Sequence, residues 1–123
     1  MPRVFFACTL LLIAATPVSA LDANAPESCA TGPIEKTYGG SSWLVASCSD
    51  GKSLVFVAKE GSPAAPFEFD LYYTGNGYDL TGKGTGNRKA TDIAYAELSK
   101  LTGSAIRALV TETQSVKGKF KSK

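Results

Sequence analysis

Residues 67–89 read FEFDLYYTGNGYDLTGKGTGNRK, and the fold turns on how the five glycines in that stretch are read. A glycine-rich segment ahead of basic residues and a helix start can cradle a phosphate. Glycines also belong where strands turn and where a large side chain needs room across a sheet. The first half of the stretch decides between these. Phe67, Phe69, Leu71 and Tyr73 alternate with Glu68, Asp70 and Tyr72, a period of two that specifies a strand with one buried side. Asn76-Gly77 then marks a two-residue hairpin turn. Folding about it sets Tyr73 against Leu80, Leu71 against Gly82, Asp70 against Lys83 and Phe69 against Gly84. Apolar residues meet apolar residues or glycine, so Gly82 and Gly84 read as strand positions that leave space for the rings and chains opposite.

After Gly86 the period lengthens. Asn87 is a suitable N-cap, and Ala90, Ile93, Ala94, Leu98 and Leu101 make a helical stripe with Glu97 as a polar intrusion. Thr102-Gly103-Ser104 either kinks this helix or starts another. Ala105 to Gln114 carries a second stripe of Ile106, Leu109 and Val110.

Upstream, Ser42–Cys48 (SWLVASC) and Ser53–Lys59 (SLVFVAK) flank Asp50-Gly51, a strong hairpin signal. Its register pairs Leu44 with Val57, Val45 with Phe56 and Ala46 with Val55. One face then presents Trp43, Val45, Leu54 and Phe56, the other Leu44, Ala46, Val55, Val57 and Cys48. Both are apolar, which predicts cover on both sides. The expected architecture is α+β: a four-stranded antiparallel sheet of two hairpins, followed by one bent or two short C-terminal helices on one face. Residues 38–116 form the single domain, 21–37 an irregular arm, and 60–66 a loop.

Residues 1–20 (MPRVFFACTLLLIAATPVSA) place Arg3 before an apolar run ending at Pro17 and Val18-Ser19-Ala20, the pattern of a secretory signal peptide. The run is about a dozen residues, short of the roughly 20 needed to span a bilayer. Cys8 leaves with it, so the chain from Leu21 holds Cys29 and Cys48, and an oxidising compartment joins them in one disulfide. The bond would tie the arm over the second apolar face. The protein is expected to be exported, to the periplasm or beyond.

The chain carries a net charge of +2, but residues 21–116 hold eight basic against eleven acidic side chains and only the tail, KGKFKSK at 117–123, is basic. An acidic body excludes a nucleic-acid footprint, and the tail reads as a disordered end. With no histidine, neither a Ser-His-Asp nor a Cys-His arrangement exists. Two cysteines alone do not complete a metal centre, and no cofactor is implied. A Walker loop requires a glycine before the lysine and Ser or Thr after it; Lys89 lies between Arg88 and Ala90. A residual anion site remains at Gly86, Asn87, Arg88 and Lys89, where basic side chains at a helix start run against the helix dipole. A second candidate surface is the row Glu68, Asp70 and Tyr72, whose paired carboxylates suit contact with a partner, acid/base chemistry or a cation. The resulting expectation is an exported module that binds a protein or a small anion without catalysis. The alternatives are a histidine-free hydrolase using carboxylates or a metal, and an envelope-associated protein held by its basic tail.

Overall fold

The computed structural model describes residues 25–116. The expected signal peptide and basic tail lie outside the described residues. Five strands, β1 (Thr31–Tyr38), β2 (Ser41–Ser47), β3 (Leu54–Ala58), β4 (Phe67–Tyr73) and β5 (Tyr78–Gly84), precede two helices, α1 (Arg88–Leu98) and α2 (Gly103–Ser115). The strands form one antiparallel meander in the order β1-β2-β3-β4-β5.

The sheet thus has five strands, not the four expected. The extra strand is β1, which takes up residues 31–37 of the supposed arm. TGPIEKTY lacks a clean apolar alternation because it is an edge strand, where proline and charged residues are tolerated. Its register with β2 is broken by an irregularity between Thr31 and Ile34. Beyond that break Ile34 and Tyr38 reach the core. Lys36 lies between them on the same face, opposite Trp43, and its ammonium group leaves the core to pair with Glu112 of α2 at 3.0 Å.

The β2–β3 register is the expected one, with Leu44 opposite Val57 and Val45 opposite Phe56. Asp50 holds the connection closed: its Oδ1 accepts from the Lys52 and Ser53 N–H groups (2.9 and 2.8 Å), and its Oδ2 from the Ser53 hydroxyl (2.6 Å). The β4–β5 register differs from expectation by two residues. Tyr73 pairs with Tyr78 and Phe69 with Gly82, because the connection is four residues long, Thr74 to Gly77. Thr74 closes it by donating its N–H to the Gly77 carbonyl at 2.8 Å. A slip of two preserves the faces of a strand, so the apolar pattern could not distinguish the registers. The reading of Gly82 survives with different partners. A Cβ there would sit 2.8 Å from Cε1 of both Phe67 and Phe69, so the glycine makes room for two rings that lie across it.

The chain resolves into two helices, each capped: Asn87 Oδ1 accepts from the Ala90 N–H and Thr102 Oγ1 from the Ala105 N–H, both at 3.0 Å. Both pack on the face carrying Trp43, Val45, Leu54, Phe56, Phe69 and Leu71, and contribute Ala94, Leu98, Ile106, Leu109 and Val110 to one core. The buried stripe of α1 is Thr91, Ala94 and Leu98, while Ile93 is 44% exposed. The stripe is therefore rotated from the expected one. Glu97 has its explanation in the β1–β2 turn, where it accepts the Gly39 N–H at 2.9 Å. On α2 the buried Thr113 hydroxyl bonds Ser47 Oγ at 2.7 Å, a polar stitch between helix and sheet.

Candidate functional site

Because both helices lie on one side, the opposite face of the sheet is left, among the described residues, to side chains from β1–β5 and to the Cys29–Cys48 disulfide. Cover there is uneven. At the disulfide end Ala46, Cys48 and Val55 are buried, with Tyr72 and Cys29 packed on them. One row away, Glu35, Leu44, Val57, Glu68 and Lys83 lie side by side across all five strands. Val57 is 41% exposed there and Leu44 half-buried. The expected two-sided cover is complete on the helix face and partial on this one.

Glu68, Asp70 and Tyr72 share this face, as their spacing in β4 requires. Asp70 projects between Val55 of β3 and Thr81 of β5 and is only 9% exposed. Its Oδ2 receives Lys83 Nζ at 3.4 Å; its Oδ1 is buried with no N–H donor among the described residues, and the Asp70 carboxyl accepts a hydrogen bond from Glu68 when Glu68 is protonated. Lys83 stands opposite Glu68 in the ladder yet reaches diagonally to Asp70. Glu68, in contact with the Asp70 carboxyl, is pushed up to about 7: the hydrogen bond to Asp70 favours its protonated form, burial and Asp70's charge add to this, and Lys83 opposes it. Lys83 in turn is raised, first by Asp70 and then by Glu68. Beside the pair lies a shallow hollow of about 310 Å³ whose lining includes Val57, Pro66, Glu68, Lys83 and Thr85. The expected surface omitted Val57 and Lys83, although both belong to it; the β2–β3 pattern and the β4–β5 register carried that signal.

The expected anion residues form a different arrangement. The Gly86 N–H donates to the Pro66 carbonyl at 3.0 Å and the Asn87 N–H to the Pro63 carbonyl at 3.2 Å. The Asn87 side chain caps α1, and Arg88 Nε binds Asp92 at 3.3 Å. A side chain at Gly86 would strike the Ala64 carbonyl oxygen, so this glycine permits a close backbone approach. The 60–66 loop and the 84–87 turn are thereby joined through backbone hydrogen bonds. Arg88 and Lys89 are exposed on the first turn of α1.

A third surface is a groove between β5 and α1, formed by two shallow hollows of about 370 and 340 Å³ that meet at Tyr95. Phe67, Phe69, Leu71 and Leu80 contribute to its walls. Among the described residues, no three Cys, Asp or Glu side chains come together as a metal-binding group, and no helix is long and apolar enough to cross a membrane. Comparison with protein-family profiles, with curated proteins and with solved structures finds no match.

Proposed function

We propose that this protein is an exported, non-catalytic binding module, and that it docks a protein partner on the sheet face opposite its helices. A disulfide between Cys29 and Cys48 is compatible with an oxidising, extracytoplasmic location. The observation that supports docking is the combination on one open face of an exposed Val57 and a half-buried Leu44 with the charged side chains of Glu68 and Lys83 beside them. Apolar surface rimmed by charge is the composition of a protein-binding patch.

The test is retention of a partner from the extracytoplasmic fraction by the immobilised, oxidised chain from Leu21 onward. Val57→Lys should abolish retention while leaving the thermal midpoint nearly unchanged, because Val57 is 41% exposed and stands opposite the Glu68 carboxyl in the ladder. Ile93→Asp, on an exposed position of α1, should retain the partner. The opposite pattern would move the docking surface to the helix side and overturn the reading.

One observation favours a hydrolase as the second reading. A carboxyl with a pKa near 7 beside a second carboxyl is what a general acid requires. Hydrolysis of a glycoside or ester panel, abolished by Glu68→Gln, would replace the binding reading.

A further inference from the structure

The two edges of the sheet are unlike. Strand β1 carries Pro33 and a break in its register with β2, features that blunt an edge. Strand β5 holds no proline and pairs with β4 without a break from Tyr78 to Gly84. Among the described residues its outer side is uncovered, since it ends the strand order and a groove separates it from α1. The β4–β5 ladder is bracketed by two bonds, from the Thr74 N–H to the Gly77 carbonyl and from the Thr85 N–H to the Pro66 carbonyl. Antiparallel bonding alternates between those ends. Asp79, Thr81 and Lys83 therefore bond to β4, while Tyr78, Leu80 and Gly82 turn their backbone N–H and C=O groups outward.

We propose that β5 pairs with β5 of a second copy of this chain, antiparallel about a two-fold axis at Thr81, to make one continuous sheet. The proposal concerns a different surface from the docking face and does not depend on it. An exposed edge is a template for another strand, and a two-fold contact must be complementary to itself. Matching outward groups with outward groups puts the axis on a residue, never between two. An axis on Asp79 or Lys83 sets like charges face to face, and one on Leu80 or Gly82 leaves both charges opposite uncharged residues. With the axis on Thr81, Asp79 of each copy faces Lys83 of the other, Leu80 faces Gly82 and Tyr78 faces Gly84. Opposite charges across an antiparallel pair attract and like charges repel, so the charges select this register.

Shape selects the same one. Gly82 and Gly84 belong to the hollow of about 340 Å³ beside Phe67, Phe69 and Tyr95. Lacking side chains, they leave its edge low, and the pairing lays Leu80 and Tyr78 of the second copy against it. Tyr95, 46% exposed where the two hollows meet, borders this contact. Lys83 is bound to Asp70 at 3.4 Å, but its side chain is 68% exposed and lies at the edge that the second copy meets. Facing residues of an antiparallel pair share a face. The helices of both copies thus lie on one side of the joined sheet, and both docking faces on the other.

The experiment is sedimentation equilibrium of the oxidised chain from Leu21 onward, from micromolar to millimolar concentration, with cysteine cross-linking as the test of register. A reversible monomer–dimer equilibrium is expected. Asp79 is exposed, so Asp79→Lys should keep the thermal midpoint; by turning two attractive pairs into repulsive ones it should weaken the dimer about tenfold or more. Thr81→Cys should form a symmetric disulfide between copies under mild oxidation, because facing residues of a non-hydrogen-bonded pair have Cα atoms about 4.5 Å apart. Asp79→Cys should not, since the same position in the second copy is about 13 Å away. Peptide mapping without reductant distinguishes the cross-link from exchange with Cys29 or Cys48. A monomer at every concentration, a dimer unaffected by Asp79→Lys, or cross-linking of Asp79→Cys as fast as Thr81→Cys would overturn the proposal.

Discussion

The helix face and the open face of this sheet start from similar sequence material and end as different surfaces. Along β2 and β3 each face presents a run of apolar residues. On the helix side Trp43, Val45, Leu54 and Phe56 are all fully buried, packed with phenylalanines from β4 and with α1 and α2. On the other side burial is complete only near the Cys29–Cys48 disulfide and fades one residue row away at Val57. Among the described residues, the same residue types thus make a core where a second layer packs on the sheet and a patch where none does. Position in the fold, and not hydrophobicity, decides which of them are buried.

Substitutions on the two faces should separate these roles. The largest effect is expected from Trp43→Ala, which empties the centre of the helix-side core and should cost about 3–5 kcal/mol, read from the urea midpoint. A loss below that of Val57→Ala would mean that the helices do not carry the stability. Reducing the disulfide, or replacing both Cys29 and Cys48 by serine, removes the clamp on the open face; the expected loss is about 3 kcal/mol in the chain-entropy account, measured the same way with and without reductant.

Glu68 tests the open face through pH. Its folded pKa is raised above its ordinary value of 4.5 to about 7. The folded state therefore binds the proton more tightly than the unfolded chain, and this group's contribution is fully present below about pH 4.5 and lost as pH rises through 7. Glu68→Gln keeps the hydrogen-bonding shape without the charge. It should leave stability at pH 4 nearly unchanged and raise it at pH 8 by on the order of 1 kcal/mol, discounted for solvent screening. No gain at pH 8 would show that the carboxyls relieve their repulsion by moving apart. Asp50 behaves oppositely. Burial pushes it up, but the Ser53 hydroxyl and the Lys52 and Ser53 N–H groups outweigh that and hold it below its ordinary value. Its contribution is present above the ordinary carboxylate range and fades as pH falls through the lowered pKa. The smallest effect belongs to Val57→Ala, within about 0.5 kcal/mol in thermal unfolding, since so much of that side chain already faces solvent.

Much of this was legible in the chain. The β2–β3 register followed from Asp50-Gly51, the faces of β4 from strict alternation, the helix start from Asn87, and the disulfide from the two cysteines left once Cys8 is set aside with residues 1–20. Each is a local signal, complete within a few residues or fixed by elimination. Glu68, Asp70 and Tyr72 could be placed on one face for the same reason, since a strand's period is two. What escaped was non-local. Strand β1 was hidden because an edge strand answers to a single neighbour and tolerates proline and charge. The β4–β5 register escaped because a slip of two conserves every facing. Ile93 was misassigned because the rotation of α1 depends on which sheet residues it meets.

The glycines of residues 67–89 show the same division. By itself the sequence determined that Gly82 belongs to a strand opposite large side chains, because backbone permissiveness and alternation are properties of a short segment. Only the tertiary structure decided that Phe67 and Phe69 are the rings that lie across it, and that Gly86 lets the turn press against Ala64. The sequence register already set Lys83 against Asp70, and the tertiary structure decided that it reaches there diagonally, from a position opposite Glu68. Among the described residues that choice leaves one carboxyl of the pair without an ion pair of its own, and it rests on packing between strands, which no single segment encodes.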